Sequence, residues 1–315
     1  VGAIERGKAM DQFSATDAAL AGFRAAREKP RAVAIWAGIM AILSFGVAIF
    51  AISTFGSKLT ALTEAMEGNP DPQTTMAAMS GMWPLFVGSL LYVLVTNSVL
   101  LAAVNRLILR PQDSAAAYLR LGGDEVRQAL VQVLLYLVLF FVYFVGVVIV
   151  ALLGAIGATI GGAGLGVLLG LVAGVAVLAG LVLLSVRLSF VSTLAFDTGR
   201  IDLKASWDMT KGRFWSLFGA YVIATVLAVV VYLLLFVMIA AVGAIASMAM
   251  GGGLAAAGDA LRGEASTLGE LFSVSGVIRA LLSGLMSVLV SLIVFAPAPT
   301  IYAQLRGRDV TETFG

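Results

Sequence analysis

The chain has 315 residues, of which 60% are hydrophobic and 12% charged, with a net charge of +2. A soluble domain carries about a quarter charged residues, so this composition, with a mean hydropathy of +1.02, points to a surface covered by lipid rather than water. Cysteine and histidine are both absent, which removes disulfides, Cys or His zinc sites, Cys nucleophiles and His general bases.

In chain order, residues 1–31 are polar and basic, with an amphipathic character, and the first apolar run starts near Ala32. A secretory signal would place a short apolar stretch earlier, so the first span is expected to stay as an anchor. Six apolar spans follow, at about 32–56, 84–108, 129–153, 164–190, 215–246 and 277–302, and a tail at 303–315. Each span is long enough for a hydrocarbon core of about 30 Å. Between the third and fourth, Gly154, Gly157, Gly161, Gly162, Gly164 and Gly166 crowd together without a charge, and a tight extracytoplasmic turn between two helices is expected there, with one long re-entrant apolar segment as the alternative. Pro297 and Pro299 interrupt the sixth span and should kink or end it. The expected fold is all-α: a polytopic transmembrane bundle over 32–302.

Orientation follows from the basic residues. All of the 20 Lys and Arg except Lys58, Arg262 and Arg279 fall in the N-terminal segment, the second and fourth connections, and the tail. The positive-inside rule places those segments and both termini in the cytoplasm. Helical spans rather than alternating strands point to a bacterial inner membrane rather than an outer one.

The segments before spans 1, 3 and 5 look alike. Each has a start signal, an apolar stripe at helical spacing, and flanking charges. The stripes are Phe13, Thr16, Leu20 and Phe23; Ala115, Leu119, Gly122 and Val126 behind Asp113; and Leu203, Trp207, Thr210 and Phe214 behind Asp202. Lys204, Asp208 and Lys211 are spaced for mutual pairing. Short amphipathic helices in the membrane interface would have this pattern. An interfacial helix plus a transmembrane hairpin, repeated three times, is one reading. Ordinary basic segments between hairpins is the other.

Three constellations are candidate sites. Lys204, Trp207, Lys211, Arg213 and Trp215 combine amphipathic rings with cations, which suits recognition of lipid headgroups, anionic ones in particular, or plain interfacial anchoring. Gly162, Gly166, Gly170 and Gly174 repeat at i+4, a helix-packing stripe whose partner is another helix of the chain, a second copy, or another membrane protein. Asn97, Asn105, Ser283, Ser287 and Ser291 would line a polar path or hydrogen-bond between helices. No acidic residue lies in a span core, no phosphate-binding loop follows a strand, and no basic stripe suits nucleic acid. Neither cofactor nor metal is expected, and no catalytic residue.

The stretch from Val186-Arg187-Leu188 through Ala205-Ser206-Trp207-Asp208-Met209-Thr210-Lys211-Gly212-Arg213-Phe214-Trp215-Ser216-Leu217-Phe218, with Pro297-Ala298-Pro299, Tyr302 and Leu305-Arg306-Gly307 near the end, resembles the membrane domain associated with glycerophosphoryl diester phosphodiesterases and related uncharacterised bacterial six-span proteins. In those enzymes the chemistry belongs to a separate soluble barrel. These residues supply no histidine for its active site, so the resemblance carries over no hydrolase activity. The expected function is a non-enzymatic scaffold binding lipid or a partner. The alternative is a passive channel or carrier for a lipid or other apolar solute.

Overall fold

The computed structural model describes residues 14–66, 71–249 and 267–307. Among them 88% are helical and none forms a strand. Phe13, Arg262 and Arg308 lie outside the described residues.

Two short helices, α1 (Ala15–Ala19) and α2 (Ala21–Glu28), precede the long α3 (Pro30–Met66). Ser14 caps α1 by accepting the Asp17 N–H at 3.2 Å. After α4 (Pro72–Met79) comes α5 (Trp83–Leu109), then a single turn at Ala115–Tyr118, then α6 (Gly123–Arg187). Three short-to-long helices follow: α7 (Val191–Thr198), α8 (Leu203–Thr210) and α9 (Phe214–Ala249). The chain closes with α10 (Leu268–Leu271), α11 (Val274–Phe295) and α12 (Pro297–Leu305). Among the described residues, five helical segments are long and apolar enough to cross a membrane: those built on α3, α5, α6, α9 and α11 with α12.

The helix α6 is not straight. Gly161 (φ −127°, ψ 16°) and Gly162 (φ 77°, ψ 179°) leave helical geometry, and the positive φ at Gly162 is one that a residue without Cβ adopts freely. The two halves then lie against each other. A Cβ at Gly166 would fall 2.6 Å from the Gly154 carbonyl oxygen, one at Gly157 would fall 3.0 Å from Gly166 Cα, and one at Gly146 would collide with Val177. The expected glycine turn between 150 and 170 is therefore present as a break in α6.

Elsewhere the helices outrun the expected spans. The helix α3 continues to Met66 because Ser57–Met66 contains neither Gly nor Pro to stop it. Its far end is tied down by Lys58 Nζ, which donates to the Ser80 carbonyl at 3.0 Å. The break after α11 falls at Ala296, where Pro297 begins α12. This is the interruption expected from the prolines, since Pro297 lacks an N–H to continue the ladder.

The helix α11 packs between α3 and α9, and α5 packs on α6. The closest approach of α3 and α11 is at Gly284, where a Cβ would stand 2.5 Å from the Ala37 carbonyl oxygen. One core cluster joins Trp36, Leu100, Leu107, Tyr118, Val288 and Leu292. A second joins Ala18, Phe190, Leu194, Leu217, Ile301 and Tyr302. Both lie toward the same end of the molecule, because they unite α1, α2, the start of α3, the exit of α5, the end of α6, α7, the start of α9, the end of α11, and α12. Near the other end an open apolar groove of about 340 Å³ separates α3 from α5, lined by Ile42, Gly46, Phe50, Leu85 and Gly88 among others.

Two of the three expected amphipathic segments differ from their sequence reading. In the first, the buried face is Ala18, Ala19, Ala21, Gly22 and Ala25, while Leu20 and Phe23 turn outward. The small residues win because α2 crosses α11 at backbone distance: a Cβ on Gly22 would lie 2.6 Å from Ile293 Cα. In the second there is no amphipathic helix. Ala116, Ala117 and Tyr118 adopt left-handed backbone, with φ 51°, 54° and 66°, and Val126 belongs to the first turns of α6. Asp113 pairs with Arg120 instead of capping a helix. The third segment is the helix expected, with Asp202 accepting the Ala205 N–H at 2.8 Å. Its buried residues are Ser206 and Thr210, and Trp207 is exposed. The pairing expected of Lys204, Asp208 and Lys211 is absent, since none of them forms an ion pair within 4.0 Å.

Candidate functional site

The end of the molecule that gathers the basic segments is a polar cap built on three successive turns of α6. Glu125, Gln128 and Gln132 recur at i+3 and i+4, so they project from one face, and all three are buried. The exit of α5 brings Arg106 opposite that face. Its guanidinium, 1% exposed, donates to Glu125 Oε1 at 2.8 Å and to the Tyr118 carbonyl at 2.5 Å, and stands 3.4 Å from Asp124 Oδ2. Glu125 also accepts the Gly122 N–H at 3.0 Å, closing the first turn of α6.

Asp124 is shared between arginines. Arg127 donates to it at 2.9 Å, and Arg110 lies 3.8 Å away. Arg110 and Arg106 also face the ring of Phe196 on α7, at 4.6 and 5.5 Å from its centroid. Taking two charges out of water costs several kcal/mol per ion unless they are paired and hydrogen-bonded. Each acidic group buried here has that compensation.

The neutral members form a second layer. Gln128 donates to the Ser192 carbonyl at 3.0 Å and accepts from the Ser192 hydroxyl at 2.6 Å. Asn105 donates to the same hydroxyl at 3.3 Å. Gln132 donates to Ser98 Oγ at 2.9 Å. On the far side of α7, Tyr302 of α12 donates to Asp197 Oδ2 at 2.7 Å.

The left-handed turn at Ala115–Tyr118 is held from three directions. The indole of Trp36, fully buried, donates to the Ala117 carbonyl at 2.6 Å. Arg106 takes the next carbonyl. The Tyr118 hydroxyl donates to the Pro111 carbonyl at 3.1 Å, and burial pushes its pKa upward, so it stays protonated as that bond requires. Consecutive left-handed residues other than glycine cost about 1–2 kcal/mol each. Such a turn persists only where its surroundings over-determine it, as these bonds do.

The aromatic and basic row lies on the outside of this cap. Lys204, Trp207, Lys211 and Trp215 are exposed and Arg213 is half-buried. Trp215 and Phe218 form an edge contact at 6.0 Å, and Phe214 stacks on Phe218 at 5.7 Å.

The other residues singled out by sequence are scattered. Gly162 forms the break in α6, Gly166 is the close contact with Gly154, Gly170 sits at the margin of that contact, and a Cβ at Gly174 would meet nothing within 4 Å. Asn105 is buried, Asn97, Ser283 and Ser291 are half-buried, and Ser287 is exposed. Among the described residues no hydrogen bond joins either asparagine to these serines.

The polar cap itself escaped the sequence reading. In the sequence Arg106 stands only among the basic residues that set the orientation. The available signal was the stripe Glu125, Gln128 and Gln132 at the head of an apolar run, since amides on a helix face entering lipid need partners. Comparison with known proteins adds no neighbour: no family model, no curated protein and no solved structure matches the chain.

Proposed function

We propose that this chain is an integral membrane protein of six crossings that works without catalysis, as a lipid-binding scaffold. Its cap and both termini face the cytoplasm of a bacterial inner membrane. The sixth crossing comes from counting the halves of α6 separately, which the Gly161–Gly162 break and the mutual contact of the halves support. An even number of crossings keeps both basic ends on one side, as the positive-inside rule requires.

The observation that carries the lipid reading is the contrast between the inside and the outside of the cap. Inside, Glu125 and Asp124 are engaged by arginines. Outside, Lys204, Trp207, Lys211 and Trp215 stand exposed. Cations near an anionic bilayer surface are worth about 1 kcal/mol each, and the indoles suit the headgroup level. The resemblance of the Ala205–Phe218 segment to a membrane domain that accompanies phosphodiesterases agrees with this reading and brings no activity with it.

The test is purification in mild detergent followed by lipid mass spectrometry. Anionic phospholipid should be enriched over the bulk membrane, and replacing Lys204, Lys211 and Arg213 by Gln should lower the enrichment. Bulk composition in both proteins would sink the reading. The carrier alternative draws on the open groove between α3 and α5; reconstituted protein that scrambles no lipid would remove it.

A further inference from the structure

Resting on the lipid-binding reading, we propose that Arg187 is the anchoring residue of a site for the phosphate of an anionic phospholipid headgroup, formed between the end of α6 and α8. Arg187 is the last residue of α6. The helix α8 is locked beneath it, because the Ser206 hydroxyl donates to the Arg187 carbonyl at 2.8 Å while accepting the Phe190 N–H at 3.2 Å. That lock sets the Trp207 ring 5.4 Å from the Arg187 guanidinium carbon, within cation–π range.

The guanidinium is then left incomplete. Its Nε and one terminal nitrogen are buried and have no hydrogen-bond partner. No carboxylate among the described residues lies within 4.0 Å of it. In this it differs from Arg106, Arg110, Arg120 and Arg127, each of which has an acid. A buried charge without a counter-ion is strongly unfavourable, so the missing acceptor should be an anion supplied from outside the chain. These two nitrogens lie on different edges of the guanidinium, and a phosphate oxygen pair would take one edge, Nη2 with either Nε or Nη1, where the N–H donors are parallel.

The surroundings point to a lipid as its source. Lys204 and Lys211 flank Trp207 on α8 and are exposed, adding positive potential beside the fork. The carboxylate of Asp208 on the same helix is exposed and pairs with none of these cations. Trp207 and Trp215 present their rings outward next to Arg187 and the start of α9, where acyl chains and headgroups meet if α6 and α9 cross the bilayer.

The experiment titrates the full chain in mild detergent with short-chain phosphatidylglycerol, and separately with inorganic phosphate, following thermal unfolding and tryptophan fluorescence. The lipid should bind saturably and raise the unfolding temperature. Arg187→Gln should weaken binding by about tenfold or more, and Arg187→Lys by less, since it keeps the charge but not the fork. Without lipid, Arg187→Gln should unfold at the same or a higher temperature than the unsubstituted chain, because it removes an uncompensated charge. A merely structural arginine would give the reverse. Lys58→Gln, at the other end of the molecule, should leave binding unchanged. Should Arg187→Gln not fold, Arg187→Lys and Trp207→Ala carry the test by the same loss of lipid affinity. Equal lipid affinity in the Arg187 variants would overturn the assignment, as would inorganic phosphate binding as tightly as the lipid. If the unsubstituted chain takes up no lipid at all, the broader lipid-binding reading falls with it. If it enriches lipid and the Arg187 variants do so equally, only the role of Arg187 falls.

Discussion

Glu125 and Phe141 belong to the same helix, about four turns apart, and live in opposite worlds. Glu125 is 5% exposed and held by Arg106; Phe141 is 67% exposed and faces outward with Phe140 and Phe144. The same contrast runs through the whole molecule. At the capped end, Arg106, Glu125, Gln128 and Gln132 have named partners, and Trp36, Phe190, Phe196 and Tyr302 are fully enclosed. Along the apolar shaft, the most hydrophobic stretch of α6 is only 6% buried, and its halves meet at Gly146, Gly157 and Gly166. The difference teaches where specificity is stored. In a bilayer, apolar faces gain little by meeting one another, because lipid is equally apolar. Directional bonds and close small-residue contacts must fix the arrangement instead: the side-chain bonds between helices gather in the cap, and the glycine contacts at Gly146, Gly157 and Gly166 serve the shaft.

The sharpest way to break the comparison is to unpair the cap. Arg106→Met strands Glu125 in a buried site and should destabilise the protein by about 3–5 kcal/mol, whereas Arg106→Met combined with Glu125→Leu should recover much of that loss. Denaturant titration of the detergent-solubilised protein reads both. A double variant as unstable as the single one would mean that the packing around the pair matters more than its charge. Next in size, Trp36→Phe keeps most of the ring but leaves the Ala117 carbonyl without its donor, at a cost of about 1–3 kcal/mol. If the left-handed turn is held as described, this loss should appear together with faster proteolysis near Ala117. Unchanged cleavage would show that the turn does not need the indole.

Much of the shaft was legible in the sequence and much of the cap was not, for one physical reason. Apolar runs, the Gly161–Gly162 break and the proline interruption at Pro297 are local properties, and so is the Asp202 cap on α8. The pairing of Arg106 with Glu125, or of Gln128 with Ser192, joins residues on different helices, and nothing in either segment alone names the other. The Ala115–Tyr118 turn misled the helical reading for a related cause: Trp36, some 80 positions away, holds a backbone that local propensity would reject. Around the start of α2 the outward Leu20 and Phe23 reversed the expected face because the contact with α11 is set by Gly22 and alanines, whose value lies in what they lack.

Within the shaft the contact between the halves of α6 should be as position-specific as anything in the cap. Gly166→Leu forces a side chain into the Gly154 backbone and should cost about 1–3 kcal/mol, while Gly174→Leu, with open space around it, should stay within about 0.5 kcal/mol. The chain has no native cysteine, so a Cys pair placed at Gly146 and Val177 gives a clean second readout. It should crosslink within one chain if α6 doubles back. Failure to crosslink, with both single variants labelled normally, would remove the hairpin and with it the sixth crossing.

The smallest effect is expected where exposure is largest. Phe141→Leu trims a ring that touches little protein, so its stability should move by no more than about 0.5 kcal/mol, the scale of substitutions away from packed or bonded features. The physical content lies in the solvent. In water an exposed phenylalanine of this size would be a liability, whereas in lipid the ring and the leucine that replaces it are nearly equivalent. A loss of several kcal/mol in a lipid bilayer, paired with no loss in detergent, would mean that another protein surface covers Phe141 there. The bare stretch of α6 would then be an interface, and the contrast between cap and shaft would belong to the isolated chain rather than to the protein in its membrane.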